Sequence, residues 1–121
     1  CFFPHVLSSF STYTLLSISY YLFDCVIPTR EARHGKLYLW KGKPDVTKKD
    51  FYKTININNA KFASDKKPIN SINLKNYSLS YLHHLFKTQE PLALRLATLN
   101  NLKFYLDLMS EIRKAIKNNK L

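Results

Sequence analysis

The residues best suited to chemistry lie in one short stretch, residues 22–35, with the sequence LFDCVIPTREARHG. Asp24 is the one carboxylate among the apolar residues 22–27, and the cations Arg30 and Arg33 follow it closely. A carboxylate within an apolar strand costs free energy unless it is paired or used. The nearby guanidinium groups would keep it ionised and could also hold phosphates. The pattern indicates either a nucleophile beside an anion-binding surface or an Asp that caps an element beside a solvated basic turn.

The alternation of apolar and polar residues, together with residues that end a strand, predicts the elements that position these side chains. Phe23, Cys25, Val26 and Ile27 favour a strand, and Pro28 ends it because proline cannot donate to a ladder. Alternating apolar residues then predict two further strands, 36–40 and 54–58. The lysine-rich connection 41–53 is expected to protrude as a basic loop, or to be a solvated loop without a specific partner. The prediction is therefore a strand over 22–28, a basic turn over 29–35 and a β-hairpin over 36–62.

The pattern becomes helical from residue 76 onward. Ser78 is placed to cap a helix at its start, and Pro91 suits the first turn of a second, longer helix. Apolar residues in the long helix recur at spacings of three and four, which predicts one stripe facing the core. The stripe comprises Leu92, Leu96, Leu99, Leu102, Leu106, Met109, Ile112 and Ile116.

The net charge of the chain indicates which class of partner it binds. A net charge of +11 and a pI near 9.8 over 121 residues favour a polyanion, with nucleic acid ahead of an acidic membrane surface. Two cysteines, Cys1 and Cys25, suggest neither a disulfide scaffold nor a thiolate metal cage, which fits a reducing, cytoplasmic location. Residues 1–23 contain no Lys, Arg, Asp or Glu, but their Ser and Thr residues lower the hydrophobicity of the segment. We therefore expect neither a membrane span nor a signal peptide.

A longer motif now points to a family. Residues 23–33 read Phe-Asp-Cys-Val-x-Pro-Thr-Arg-x-x-Arg, which resembles the last barrel strand of the tRNA-guanine transglycosylases. The helical half contains further segments that resemble the family's sequence, at residues 76–78, 81–85, 101–109 and 112–116. The resemblance covers residues 22–121 and leaves 1–21 unassigned. It implies an α/β fold: the C-terminal fragment of a TIM-type (β/α)8 barrel, with its last strand, an inserted β-hairpin and helical subdomain over 36–121, and a long C-terminal helix.

The resemblance also implies roles for residues. Asp24 would be the nucleophile that attacks the ribose, and Arg30, Arg33 and His34 would bind tRNA. The family exchanges guanine at the anticodon wobble position for a 7-deazaguanine, and the parent enzyme would be a homodimer or heterodimer. The groups that bind the base lie upstream of the matched region. Because the chain also begins at Cys1, we expect it to be a fragment that is inactive by itself.

The family's zinc site is expected to be lost. Its three cysteine positions correspond to Ile69, Ser71 and Leu74, its histidine position corresponds to Asn100, and no cysteine follows Cys25. Apolar side chains cannot coordinate zinc, which prefers thiolate and imidazole ligands. We predict no zinc or other cofactor, with apolar packing in place of the metal. His83 and His84 are adjacent on a helix and are interpreted as packing or surface residues.

Two other classes of function remain open. The chain could be a non-catalytic tRNA-binding subunit or paralogue, which its charge and basic loop favour. It could also belong to a relative that inserts deazaguanines into DNA. A membrane-anchored protein built on residues 1–23 is a more distant alternative.

Overall fold

A computed structural model describes residues 25–70 and 74–119. Within this part the chain forms a short helix, a two-stranded sheet and two further helices. They are α1 (Ile27–Arg33), β1 (Lys36–Trp40), β2 (Tyr52–Asn56), a 3-10 helix (Ala60–Phe62), α2 (Leu79–Lys87) and α3 (Pro91–Lys117). Outside the described residues lie the unassigned segment 1–21, the first three residues of the predicted strand 22–28, which include Asp24, and Ser71. The result is a mixed α/β unit with a small sheet and a long C-terminal helix.

Helix α1 corrects two predictions. Ile27 and Pro28, expected at the end of a strand, form the first turn of the helix, and most of the expected basic turn 29–35 is helical. The physical reason is that Pro28 lacks an N–H and has a fixed φ, which suits a helix start as well as a strand end. Thr29 Oγ1 also donates to the Val26 carbonyl, at 3.0 Å.

The β-hairpin is confirmed, with shifted bounds. Strand β1 has the predicted limits, whereas β2 begins and ends two residues before the predicted 54–58. The strands are antiparallel, and Lys36 pairs with Asn56 and Trp40 with Tyr52. The connection does expose lysines, but it does not simply protrude, because Val46 and Phe51 anchor it in the core.

The segment before α2 is closed on itself rather than being a loose linker. The Leu79 N–H donates to the Lys67 carbonyl at 2.8 Å, and the Ile69 N–H donates to the Tyr77 carbonyl at 2.9 Å. Ser78 caps α2 as predicted, since its Oγ accepts from the Tyr81 N–H at 3.1 Å. A loop that is fastened at both ends can carry buried side chains without a long element of its own.

Two hydrophobic clusters form the core on either side of the sheet and α3. The first cluster surrounds α2 and contains Ala32, Leu37, Ile57, Phe62, Ile69, Leu74, Leu79, Leu82, Leu85, Ala93, Leu96 and Ala97. The second cluster joins the hairpin to the later turns of α3 and contains Ile27, Tyr38, Val46, Phe51, Phe104, Leu108, Ile112 and Ala115. Helix α3, helix α1 and strand β1 each contribute residues to both clusters.

The predicted apolar stripe of α3 is largely wrong. Leu96 and Ile112 are buried, but Leu92, Leu99, Leu102, Leu106 and Ile116 are exposed. The side that packs is instead rich in small and amide residues, namely Ala93, Ala97, Asn100, Asn101 and Ala115. Small side chains let α1 and β1 approach the helix closely, so size and hydrogen bonding, not hydrophobicity alone, select the inward side. Among the described residues, no helix is both long enough and apolar enough to cross a lipid bilayer.

Candidate nucleic-acid interface

The cations singled out from the sequence lie together on α1. Arg30 and Arg33 occupy its last turn and are exposed, and His34 follows as the exposed C-cap. Cations at a helix C-terminus are favoured by the partial negative charge of the unpaired carbonyls there. Arg33 forms no ion pair with any described residue, whereas Arg30 lies 3.6 Å from a Glu31 oxygen. At least one guanidinium is therefore free to meet an external anion.

Glu31 is already engaged by its neighbours. Its Oε2 lies 3.0 Å from Lys36 Nζ at the start of β1. The hydrogen bond from Lys36 holds the pKa of the Glu31 carboxyl below its usual value, and the same contact raises the pKa of Lys36. Because Lys36 is its principal partner, Glu31 neutralises Arg30 only in part. The surface of α1 keeps a net positive charge.

A buried amide fixes α1 against the sheet and α3. Asn101 is 0% exposed, and its Nδ2 donates to the Pro28 carbonyl at 3.1 Å and to the Lys36 carbonyl at 2.9 Å. Its Oδ1 accepts from the Tyr38 N–H at 3.1 Å. One side chain thereby links the start of α1, strand β1 and the long helix. The direction in which Arg30 and Arg33 point depends on this link.

The neighbouring Asn100 occupies the position that the resemblance gives to a zinc-binding histidine. Its Nδ2 donates to the Tyr38 carbonyl at 3.1 Å, and its Oδ1 accepts from Asn70 Nδ2 at 3.1 Å. Asn70 Oδ1 in turn accepts from the Leu74 N–H at 3.0 Å. An amide relay therefore connects α3 to the loop that would hold the thiolates. Both polar atoms of Asn100 already form hydrogen bonds, and an amide is a poor substitute for the imidazole that zinc prefers.

The other ligand positions do not fit zinc either. Ile69 and Leu74 are buried in the first cluster and carry no coordinating atom, and Ser71 lies outside the described residues. Among the described residues, no group of three or more His, Cys, Asp or Glu side chains is placed to hold a metal ion. His83 is buried, with Nδ1 2.7 Å from the Ile57 carbonyl, and His84 is exposed. The residues present therefore do not match the family's metal site.

Further cations surround the hairpin. A cleft of about 290 Å³ lies between the sheet, the 67–70 segment and α3, and Lys53, Lys67 and Lys103 line it together with Trp40. Lys103 is paired with Asp107. A basic cleft with an aromatic wall suits a nucleotide, because the phosphate meets charge and the base can stack. These lysines lie on three separate chain segments, so sequence inspection did not group them.

A second group missed by sequence inspection lies beside α1. Thr29 and Arg33 of α1 face Leu94, Arg95 and Leu99 of α3 across a shallow groove of about 330 Å³. Arg95 is exposed and adds a guanidinium to the one contributed by Arg33. Within the described residues, the candidate interface is thus formed by α1 with the adjoining turn of α3, and by the basic cleft. Its arginines and lysines supply the positive charge that phosphates require, whereas the groove between α1 and α3 is itself lined mainly by apolar atoms.

Comparison with known proteins gives a consistent result. Residues 21–121 match the family model of queuine tRNA-ribosyltransferase. A queuine tRNA-ribosyltransferase of Dehalococcoides mccartyi is 44% identical over 102 residues, which covers 81% of this chain and 23% of that protein. One from Clostridium botulinum is 45% identical over 101 residues, covering 80% of this chain and 24% of that protein. One from Desulforapulum autotrophicum is 42% identical over 103 residues. The chain spans about a quarter of the length of these relatives.

Proposed function

Since the chain belongs to the queuine tRNA-ribosyltransferase family, we propose that it forms the C-terminal part of a tRNA-guanine transglycosylase. Such an enzyme replaces guanine at the wobble position of a tRNA anticodon with a 7-deazaguanine. In this role the chain contributes the nucleophile and part of the surface that grips the tRNA. The observation that carries the proposal is the exposed guanidinium pair of α1, which lies a few residues after Asp24 on a helix whose Pro28 carbonyl accepts a hydrogen bond from Asn101.

The proposed chemistry assigns one covalent role to this chain. The Asp24 carboxylate attacks the anomeric carbon of the ribose as the bond to guanine breaks, and guanine leaves after gaining a proton. A ring nitrogen of the incoming base then attacks the same carbon, loses its proton and releases Asp24. Two displacements on opposite faces retain the sugar configuration, as in retaining glycosidases. The proton donor and the groups that recognise the base are assigned to the part of the relatives that this chain does not span.

In this proposal Arg30 and Arg33, with His34 beside them, hold the phosphates that flank the reacting nucleotide. Guanidinium groups suit this role because they bind phosphate in a bidentate manner. The contacts would be independent of sequence and would fix the register of the anticodon loop against Asp24. Arg95 and the lysines of the cleft would extend the contact along the RNA backbone.

Binding of tRNA tests the gripping role. We expect the double variant Arg30→Ala with Arg33→Ala to weaken tRNA binding and to lower the salt dependence by roughly one to two units of log–log slope. Asp24→Asn should leave the affinity nearly unchanged. The matched control is Arg113→Ala with Lys117→Ala, which removes two exposed cations near the C-terminal end of α3, outside the candidate interface. If both double variants lost the same tRNA affinity, the effect would be explained by the change in net charge alone, and the proposal would be contradicted.

Transfer of activity tests the catalytic role. The polypeptide of residues 1–121 alone is expected to show no guanine exchange into tRNA. Residues 21–121 grafted in place of the matching region of the Dehalococcoides mccartyi relative should restore exchange, and Asp24→Asn should abolish it. An active Asp24→Asn graft would overturn the assignment of the nucleophile.

A non-catalytic tRNA-binding subunit is the second candidate. It is favoured by the net charge of +11 and by a cationic surface that is complete without Asp24. Tight tRNA binding by the chain together with an inactive graft would support it. Competition between tRNA and duplex DNA would distinguish both candidates from a relative that modifies DNA.

A further inference from the structure

The basic cleft combines an aromatic floor with a cationic edge. Tyr38 and Phe104 line it and are buried, and the ring of half-buried Trp40 lies 4.8 Å from that of Phe104. Lys53 and Lys67 line it and are exposed, and neither forms an ion pair with a described residue. The cleft therefore offers free positive charge beside a surface against which a planar ring can pack.

A carboxylate also lines the cleft. Asp107 is paired with Lys103 through its Oδ1, and both side chains are partly buried. A site for phosphate alone is weakened by a carboxylate, because like charges repel. A nucleobase suits the pair, since the Watson–Crick edge of every base presents an N–H donor beside an acceptor. Asp107 can accept from the donor while Lys103 donates to the acceptor, so the pair favours a base over a bare phosphate.

The cleft is separate from the arginines of α1. Lys36, which contacts Glu31 of α1, and Trp40 are the two ends of β1, about 13 Å apart. Along α3, Arg95 in the groove beside α1 and Lys103 in the cleft are about 12 Å apart. The strand and the helix thus give the same separation, which exceeds the spacing of adjacent phosphates in RNA. The two cationic surfaces meet different nucleotides.

We propose that the basic cleft binds one unpaired nucleotide, with its base against the aromatic floor and its phosphate at Lys53 and Lys67. Stacking on aromatic side chains tolerates any base, so the site selects a nucleotide rather than a sequence. This goes beyond a contact with the RNA backbone, because the base itself is held. That the nucleotide belongs to a bound tRNA rests on the proposed function, whereas binding of a mononucleotide does not.

Titration of the 121-residue chain with adenosine 5′-monophosphate, followed by NMR, gives the direct test. The nucleotide should shift the resonances of the Trp40 indole N–H and of the Leu39 and Asn70 backbone amides, which line the cleft. Inorganic phosphate at equal ionic strength should shift them much less. The Arg113 amide, outside the cleft, should not move with either. Equal shifts with nucleotide and phosphate, or none with either, would overturn the proposal.

Asp107→Asn separates the base from the phosphate. Because the substitution removes a negative charge, net charge alone would make both anions bind more tightly. We expect it instead to weaken adenosine 5′-monophosphate binding about fivefold, since an ionised acceptor is lost, and not to weaken phosphate binding. Asp50→Asn is the matched control, as Asp50 is paired with Lys41 outside the cleft. Nucleotide affinity that rises in the Asp107 variant, or falls equally in both, would contradict the proposal.

The fluorescence of Trp40 tests the site with tRNA. At saturating tRNA, Lys53→Ala with Lys67→Ala should lose most of the quenching seen in the unaltered chain. Lys48→Ala with Lys49→Ala is the matched control, since these exposed lysines of the hairpin connection lie outside the cleft, and it should keep the quenching. Equal quenching in the two double variants would overturn the placement of a tRNA nucleotide in the cleft.

Failure of this inference and failure of the proposed function give different results. Arg30→Ala with Arg33→Ala should weaken tRNA affinity but leave adenosine 5′-monophosphate binding unchanged. If the unaltered chain binds the mononucleotide but not tRNA, the proposed function is wrong and the nucleotide site stands. If it binds tRNA but not the mononucleotide, the nucleotide site is wrong.

Discussion

Asn101 carries more of the structure than its size suggests. It satisfies the carbonyls of Pro28 and Lys36 and the N–H of Tyr38. Asn101→Ala would remove the partner of all three groups, and buried groups without partners each cost about 1–3 kcal/mol. We expect the free energy of unfolding in urea to fall by roughly 2–4 kcal/mol, allowing for relaxation. Asn118→Ala, at the exposed end of α3, is the control and should change it little. A loss as small as that of the control would contradict the structural role.

Tyr38 and Tyr105 predict an alkaline limit to stability. Their rings lie 5.5 Å apart at the edge of the second cluster, and burial raises the pKa of both hydroxyls. The unfolded chain releases these protons near pH ~10, whereas the folded chain retains them. Their contribution is therefore fully present below about pH 10 and is lost as the pH rises further.

The change expected from Tyr105→Phe follows from that sign. Relative to the unaltered chain, the variant should lose stability less steeply above about pH 10, by up to ~1.4 kcal/mol per pH unit. Urea unfolding at several alkaline pH values measures the slope. Tyr81→Phe, at an exposed tyrosine of α2, is the matched control. Identical slopes for the two variants would refute the assignment.

The buried asparagines were not predictable from the sequence. Asn100 and Asn101 are polar residues of an amphipathic helix, and polar residues of such a helix are expected to face solvent. Their backbone partners lie 62 to 73 residues away, on elements whose position depends on the tertiary fold. A local pattern cannot contain that information. The roles suggested for Asp24, Arg30 and Arg33 came instead from an extended motif and remain predictions.

Among the elements, the turn from α1 to β1 depends on Gly35. Its φ of +76° lies in the left-handed region, and a Cβ there would lie 2.7 Å from Asn58 Nδ2. Gly42 has a φ of +89° but no atom within 4 Å of such a Cβ. Gly42→Ala should therefore cost about 1 kcal/mol from backbone strain alone. Gly35→Ala should cost more, roughly 2–3 kcal/mol, and loosen α1. Thermal unfolding compares the two, and equal shifts would argue against a tight turn.

Elements with strong local signals were predicted well. Strand β1, the Ser78 cap and Pro91 in the first turn of α3 each depend on neighbouring residues. The errors arose where tertiary contacts decide. Pro28 was compatible with both a strand end and a helix start, and packing on α3 selected the helix. Likewise, the long side chains of the predicted apolar stripe looked like core, whereas close packing against β1 required alanine and asparagine.

At the scale of the whole molecule, the amide relay and apolar loop predict independence from zinc. Ile69 and Leu74 pack in the first cluster, and Asn70 joins Asn100 across the position of the expected cross-link. Purified chain should contain far less than one zinc per molecule by elemental analysis. Adding a chelator should leave the melting temperature unchanged. One tightly held zinc per chain, or a lower melting temperature with chelator, would contradict this prediction.

Trp40 has a practical consequence. It is the only tryptophan of the chain, and its ring lies 4.8 Å from that of Phe104 on α3 and 5.7 Å from that of Phe51 on the hairpin connection. Its indole nitrogen is buried without a hydrogen-bond partner. Its fluorescence therefore reports on the packing of the sheet against the long helix. We expect blue-shifted emission in the folded protein and a red shift when this packing is lost. The molecule thus contains an intrinsic optical sensor, and nucleotides entering the basic cleft beside it should register as quenching.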